Sequence, residues 1–196
     1  MLADMNKVHE HGERREYAEA KKLALKVSGG LSWAGVQSGH VTWVLAVLSD
    51  YLGEEEEAFK FISEAMRMDP LEPSIQKSFD IITDRIRRML IDPERDLADD
   101  STPRLHGMLV AAGKADELVH IATACHLEAV GRDNEAMKLL DAVLLLAPAC
   151  RDAWVVKAMM AKKLGLIDEA MAAEVEASAC DSGPVPLFAI PGKAVA

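Results

Sequence analysis

The sequence predicts an all-α protein built from consecutive antiparallel helix pairs. Half of the residues are hydrophobic but only 5% are aromatic, and Ala, Leu and Met supply much of the apolar content. These residues are good helix formers, whereas the β-branched residues that favour strands are comparatively sparse. Glycine and proline fall between the periodic apolar segments, where helices end. A repeated spacing of glycine, alanine and proline indicates that the helices come in pairs.

Two stretches in the second half of the chain align with each other without a gap. The alignment superposes Gly131 on Gly165 and Ala136 on Ala170. Glycine past a helix end accepts the left-handed conformation that stops the helix, and proline cannot continue one. An earlier stretch repeats the spacing, and glycine precedes proline by the same distance along the chain in both cases: Gly53 and Pro70, Gly131 and Pro148.

This pattern resembles that of the tetratricopeptide repeat family, whose period of about 34 residues holds two antiparallel helices. Trp154 matches the early aromatic position of the last repeat, and Ala58 matches the small residue of a second helix. The resemblance implies a right-handed α-solenoid of about nine or ten helices, because single pairs bury little and must stack. It covers most of the chain and is strongest over 39–70 and 117–184.

The repeat register predicts one solenoid over residues 1–184, followed by a non-helical apolar tail at 185–196. Its units are expected at about 1–38 (atypical), 39–72, 73–116 (degenerate), 117–150 and 151–184. In the degenerate unit, an acidic loop over 92–103 precedes a short second helix ending near Gly113. Its first helix carries an amphipathic stripe of apolar residues at steps of three and four: Ile75, Phe79, Ile82, Ile86 and Met89.

In a solenoid of helix pairs the first helices line a concave groove. The resemblance places the groove at the second, fifth, ninth, twelfth and thirteenth residues of each repeat. An apolar groove suits an extended peptide or the apolar face of an amphipathic helix. The residues carried over are His40, Trp43, Val47, Asp50, Tyr51, Leu118, Ile121, Cys125, Glu128, Asp152, Val155, Met159 and Lys162.

The function expected from this groove is protein–protein interaction or scaffolding. One alternative is a dedicated chaperone or assembly factor of a bacterial secretion-type system, and a remote one is an unrecognised enzyme. The Lys/Asn/Arg clamp that grips chaperone tails in one subfamily is replaced here by Val47, Cys125 and Ile121. Trp43 has two open interpretations, as a groove residue or as core. Aromatic residues are enriched among those that dominate binding energy, which favours Trp43 and Tyr51 as anchors.

The sequence indicates neither catalysis nor a cofactor or metal. His9 and His11 are two residues apart, so a helix would direct them to different faces, and no H-E-x-x-H motif is present. His120, Cys125 and His126 have a spacing that does not converge on one ion. No glycine-rich nucleotide-binding loop or nucleophile elbow occurs.

Charge and cysteine usage favour a cytoplasmic protein with a protein or peptide partner. The net charge of −10 argues against nucleic acid, which recruits clustered Lys and Arg. The one basic cluster, at Arg85, Arg87 and Arg88, is interpreted as a solvated helix face. Three cysteines without a C-x-x-C motif fit a reducing compartment. No signal peptide and no run long enough for membrane insertion is expected.

The tail carries Val185, Leu187, Phe188 and Ile190 among prolines. It is interpreted as packing back on the last helix pair, or else as a docking segment for another molecule. A second copy of the chain is one such molecule, so homo-oligomerisation stays open.

Overall fold

The structure is a computed structural model that describes residues 2–180. Ten α-helices and no strand occur in this range, which confirms the all-α prediction of about nine or ten helices. Two helices fall within each of the five predicted intervals. The tail predicted at 185–196 lies outside the described residues. The helices are α1 (Leu2–Glu13), α2 (Tyr17–Trp33), α3 (Gly39–Tyr51), α4 (Glu55–Met68), α5 (Pro73–Ile91), α6 (Thr102–Ala111), α7 (Glu117–Ala129), α8 (Asp133–Leu146), α9 (Arg151–Lys163) and α10 (Ile167–Ala179).

Several helices end in the same glycine turn. After α3 the amide of Gly53 donates to the Asp50 carbonyl at 3.2 Å, and the amide of Glu54 donates to the Ser49 carbonyl at 3.0 Å. This pair of bonds is a Schellman motif, which needs a left-handed residue just past the helix end. Gly53 provides it with a φ of 72°. The other glycines with positive φ follow α2, α6, α7 and α9: Gly35, Gly113, Gly131 and Gly165.

Replacing Gly53 with alanine is expected to lower the free energy of unfolding by about 1–2 kcal/mol, the cost of left-handed backbone for an L-residue. A Cβ at this position meets nothing within 4 Å, so the cost is conformational only. Gly29 is the matched control, because it lies inside α2 and its Cβ would also be free of contacts. Gly29→Ala should stabilise the protein by about 0.5–1 kcal/mol. Urea unfolding followed by circular dichroism measures both, and changes of the same sign would contradict the turn argument.

The chain forms two compact units, residues Met1–Ile86 and Arg87–Ala196, with the boundary inside α5. In the first unit α1 packs on α2, α2 on α3 and α3 on α4. In the second, each helix from α6 to α10 packs on the next, and α7 also contacts α9. One core cluster of the first unit contains Val8, Ala20, Ala24, Val44, Leu45 and Leu48. A cluster of the second contains, among others, Ile121, Ala136, Leu140, Val156, Met160 and Ala170.

The alanines of the repeat pattern are buried where paired helices meet. Ala58, Ala136 and Ala170 lie near the starts of α4, α8 and α10, and none exposes more than 1% of its surface. A methyl side chain lets two helix backbones approach closely, so a larger residue here would overpack the pair.

Proline ends two of the helices and also provides an acceptor for the next pair. Gln76 Nε2 donates to the Pro70 carbonyl at 2.7 Å, and Trp154 Nε1 donates to the Pro148 carbonyl at 2.8 Å. In both cases the donor lies six residues after the proline. Trp154 therefore helps to orient the start of α9 on the preceding turn.

The acidic connection between α5 and α6 is an ordered loop in the second unit. Arg95 donates to the Met89 carbonyl at 2.9 Å, to Asp99 at 2.8 Å and to the Ser101 hydroxyl at 2.6 Å. The carboxylates of Asp92, Asp96 and Asp99 each accept the backbone amide two residues later. Such turns satisfy the backbone without a helix. His126 of α7 contacts the Leu97 carbonyl at 2.7 Å, which attaches the loop to the helices.

None of the described helices is both long enough and apolar enough to cross a membrane. The longest, α5, has 19 residues. It includes Lys77, Asp80, Asp84 and Arg85 among its charged residues.

Candidate functional site

Three of the five groove residues predicted on α3 line a cleft that α3 forms with α1 in the first unit. Its volume is about 360 Å³. Trp43, Val47 and Tyr51 line it at successive turns, because a spacing of four places side chains on one helix face. The remaining lining residues are Val44 and Leu48 of α3, Val8, His9, Gly12 and Glu13 of α1, and Tyr17 at the start of α2.

The cleft has an apolar floor and an aromatic rim. Val8, Val44 and Leu48 form the floor and are buried members of the core cluster. At the rim, Tyr51 is 60% exposed. Tyr17 stacks on it, with ring centroids 4.6 Å apart and 7° between the ring planes. The stack supports the Tyr51 ring as a flat apolar surface at the edge of the cleft.

Trp43 contributes to the cleft wall and to the core. Its indole is partly buried and packs against the core cluster. Its Nε1 donates to the hydroxyl of Ser78 on α5 at 2.8 Å. His40 adjoins the cleft, with its ring centroid 5.3 Å from that of Trp43 and 6.5 Å from that of His9. Trp43 therefore lines the cleft and also packs against the core, so both interpretations of this residue remain open.

The wall supplied by α1 is absent from the sequence-based groove. The resemblance assigns groove residues only to the first helices of well-formed repeats, and α1 carries no glycine, alanine or proline signature of the repeat. The available signal was weak. Met5, Val8 and Gly12 follow steps of three and four, which is the spacing of one helix face. Tyr17 precedes Tyr51 by one repeat period, although Tyr17 begins the second helix of one pair and Tyr51 ends the first helix of the next.

Two acidic groove residues pair with a base on a neighbouring helix. Asp50 accepts Arg85 Nη1 at 2.8 Å, and Glu128 pairs with Lys163. Each base follows its acid by 35 residues, so the same pairing recurs once in each unit. Burial raises the pKa of Asp50 despite the nearby Arg85 guanidinium. Both ion pairs therefore join first helices of consecutive helix pairs.

The other predicted groove residues belong to the second unit. Ile121 has no exposed surface and lies in the core, so it offers nothing to a partner. Burial, with a contribution from Glu128, raises the pKa of the Cys125 thiol to about 12. At neutral pH this thiol is protonated and packs as a small apolar group. Lys162 is exposed and pairs with Glu174. Partly buried are Leu118, Asp152, Val155 and Met159.

Among the described residues, no three His, Cys, Asp or Glu side chains are placed to hold a metal ion.

The arginines of the predicted basic cluster interact within the chain. Arg85 pairs with Asp50 in the first unit, and Arg87 pairs with Asp116 at 2.6 Å in the second. Arg88 makes an interaction as well.

A histidine pair joins α6 to α7 in the second unit. His106 Nε2 lies 2.9 Å from His120 Nδ1, and the two rings meet edge to face with centroids 5.0 Å apart. One nitrogen must donate and the other accept, so the hydrogen bond is lost when both rings are protonated. Burial lowers the pKa of His106, and the nearby His120 lowers it further by a smaller amount.

Mild acid is therefore expected to destabilise the protein. The pKa of His106 is lower in the folded state than in the unfolded chain, where it has the ordinary histidine value of about 6.5. Below that pH the unfolded chain binds more protons than the folded protein. The free energy of unfolding therefore falls as the pH drops from about 6.5 towards the folded-state pKa. Thermal unfolding at about pH 7.5 and about pH 5.5 measures the difference. His106→Gln, which keeps a hydrogen-bonding group but does not titrate, should reduce the pH dependence. An equal dependence in both proteins would rule out this pair as its source.

No protein-family model matches the chain, and no curated protein matches it. Among solved structures, MamA AMB-1 is 15% identical to this chain, with a TM-score of 0.43. The alignment covers 94% of this chain and 93% of the MamA chain. MamA from Desulfovibrio magneticus RS-1, residues 41 to the end, is 12% identical, covers 92% and 97%, and has a TM-score of 0.39. Similarity at these low values does not indicate a function for this chain.

Proposed function

We propose that this chain is a protein-interaction module that binds an apolar segment of a partner protein in the cleft between α1 and α3. The observation that supports the proposal is the cleft itself. Buried Val8, Val44 and Leu48 form its floor, while Trp43 and a Tyr17–Tyr51 stack form its aromatic wall.

The chemistry of the cleft favours apolar side chains of a peptide or helix over a polar small molecule. A site for a polar small molecule needs precisely placed polar groups that fix the orientation of the ligand. Here the polar side chains are His9, Glu13, Tyr17 and Tyr51, and the indole N–H of Trp43 is already bonded to Ser78. The rest of the lining is aliphatic apart from Gly12 and includes the buried floor. A volume of about 360 Å³ has room for a few large apolar side chains, such as the anchors that an amphipathic helix or extended peptide inserts into a groove.

The aromatic rim is suited to give such a contact most of its energy. Tyr and Trp are enriched among residues whose truncation costs the most binding energy, because their large rings lose little conformational freedom. We also propose that Val155 and Met159 of α9, which are partly exposed, are groove residues within the second unit.

Site-specific photocrosslinking in a lysate of the source cells tests the proposal. A benzophenone side chain introduced at Val47 should capture a partner through the cleft. The same side chain at Trp33, which is 93% exposed and absent from the cleft lining, is the control. A protein crosslinked from position 47 alone, through an apolar segment, supports the proposal. The same products from both positions would contradict it, and products consisting of this chain alone would replace the partner with self-association.

A further inference from the structure

The last described helix, α10, leaves a stripe of large apolar side chains in solvent. Its buried residues are all small: Ala170, Ala173 and Ala177. On another face Ile167, Met171 and Val175 are 58%, 60% and 67% exposed. Their spacing of four places the three side chains one above the other along the helix.

The residue equivalent to Met171 in the preceding helix pair is buried. Met171 lies one repeat period after Met137, just as Ala170 lies one period after Ala136. Met137 is only 9% exposed and belongs to the core cluster, in a helix on which α9 packs. No described helix follows α10, so Met171 lacks the cover that Met137 has. Burying an exposed apolar stripe is favourable by about 25 cal/mol per Å².

We propose that residues 185–190 of the same chain bind this stripe. This segment, which lies outside the described residues, reads Val-Pro-Leu-Phe-Ala-Ile and contains no charge. Its apolar side chains match those of Ile167, Met171 and Val175, whereas a charged segment would lose favourable hydration by packing against this stripe.

The segment is near enough to reach the stripe. Val175 lies five residues before Cys180, about 8 Å back along α10 at 1.5 Å per residue. The five residues from Cys180 to Val185 span up to about 17 Å. The next five, to Ile190, span up to about 17 Å more, and the stripe from Ile167 to Val175 measures about 12 Å. The cleft between α1 and α3 takes no part in this contact, so the two proposals stand or fall separately.

Crosslinking from α10 in the purified full-length chain is the test. A benzophenone side chain at Met171 should form a bond within the same chain, mapped by mass spectrometry to residues 185–190. Lys138, an exposed residue of α8, is the control position and should give several-fold less of this product. Phe188→Asp should reduce the product from position 171 several-fold and lower the thermal midpoint.

Three results would overturn the proposal. One is the absence of the product from position 171, and another is an equal yield from both positions. The third is crosslinking between chains, detected by mixing isotopically light and heavy protein, which would show that a second copy covers the stripe.

Discussion

Tyr51→Ala is expected to weaken partner binding by about 2 kcal/mol, which corresponds to roughly thirtyfold in Kd. The substitution removes the exposed half of the Tyr17–Tyr51 stack and with it the flat edge of the cleft. Because the Tyr51 side chain is 60% exposed, the fold should survive its loss. Titration of the partner identified by crosslinking measures the change, with circular dichroism as the check on folding.

Trp33→Ala is the matched control for this experiment. It also removes an exposed aromatic ring from the first unit, but Trp33 does not line the cleft. Its expected effect on binding is close to zero. Equal weakening by both variants would show that exposed aromatic surface in general, and not the cleft, holds the partner. Trp43→Ala is a less selective probe, because it also breaks the bond to Ser78 and opens the core.

Leu45→Ala is expected to lower the free energy of unfolding by about 2–5 kcal/mol, the range for a buried leucine replaced by alanine. Leu45 is 1% exposed and lies in the core cluster beneath the α1–α3 cleft. The lost methyl groups leave a cavity that the rigid helix pairs fill only in part. Denaturant unfolding followed by circular dichroism measures the change.

Leu71→Ala makes the same chemical change at a position that is 83% exposed in the same unit. Surface substitutions of this kind stay within about 0.5 kcal/mol. A similar loss in both variants would mean that the first unit is not organised around the core described. A large loss of unfolding free energy for Leu45→Ala alone would support that organisation.

The helix pairs were predictable from sequence because the signals that delimit them are local. At Gly53 and Gly131 the glycine amide donates to the carbonyl three positions before it, and the amide of the next residue donates to the carbonyl five positions before that residue. Pro70 and Pro148 then stop the following helix. Even the short second helix of the degenerate unit was anticipated, since Gly113 takes the same left-handed turn. A turn needs only its own few residues, so its spacing in the chain carries the information.

The cleft was predictable only in part. Trp43, Val47 and Tyr51 share a face of α3, and that face follows from helical periodicity. Periodicity does not tell which helix lies opposite, so the contributions of Val8 and Tyr17 were missed. The repeat resemblance also placed Asp50 in the groove, where Arg85 of a neighbouring helix binds it. Ile121 was assigned to the groove by position alone, whereas packing buries it completely.

The most direct test of the proposed function is a methyl NMR titration of the intact protein with the apolar segment of its partner. Binding in the cleft should shift the methyl signals of Val8, Val44, Val47 and Leu48, while those of Leu71 and Leu145, on exposed surface elsewhere, stay in place. Shifts confined to other helices, with these four signals unchanged, would show that the partner binds elsewhere and that the cleft is not its site.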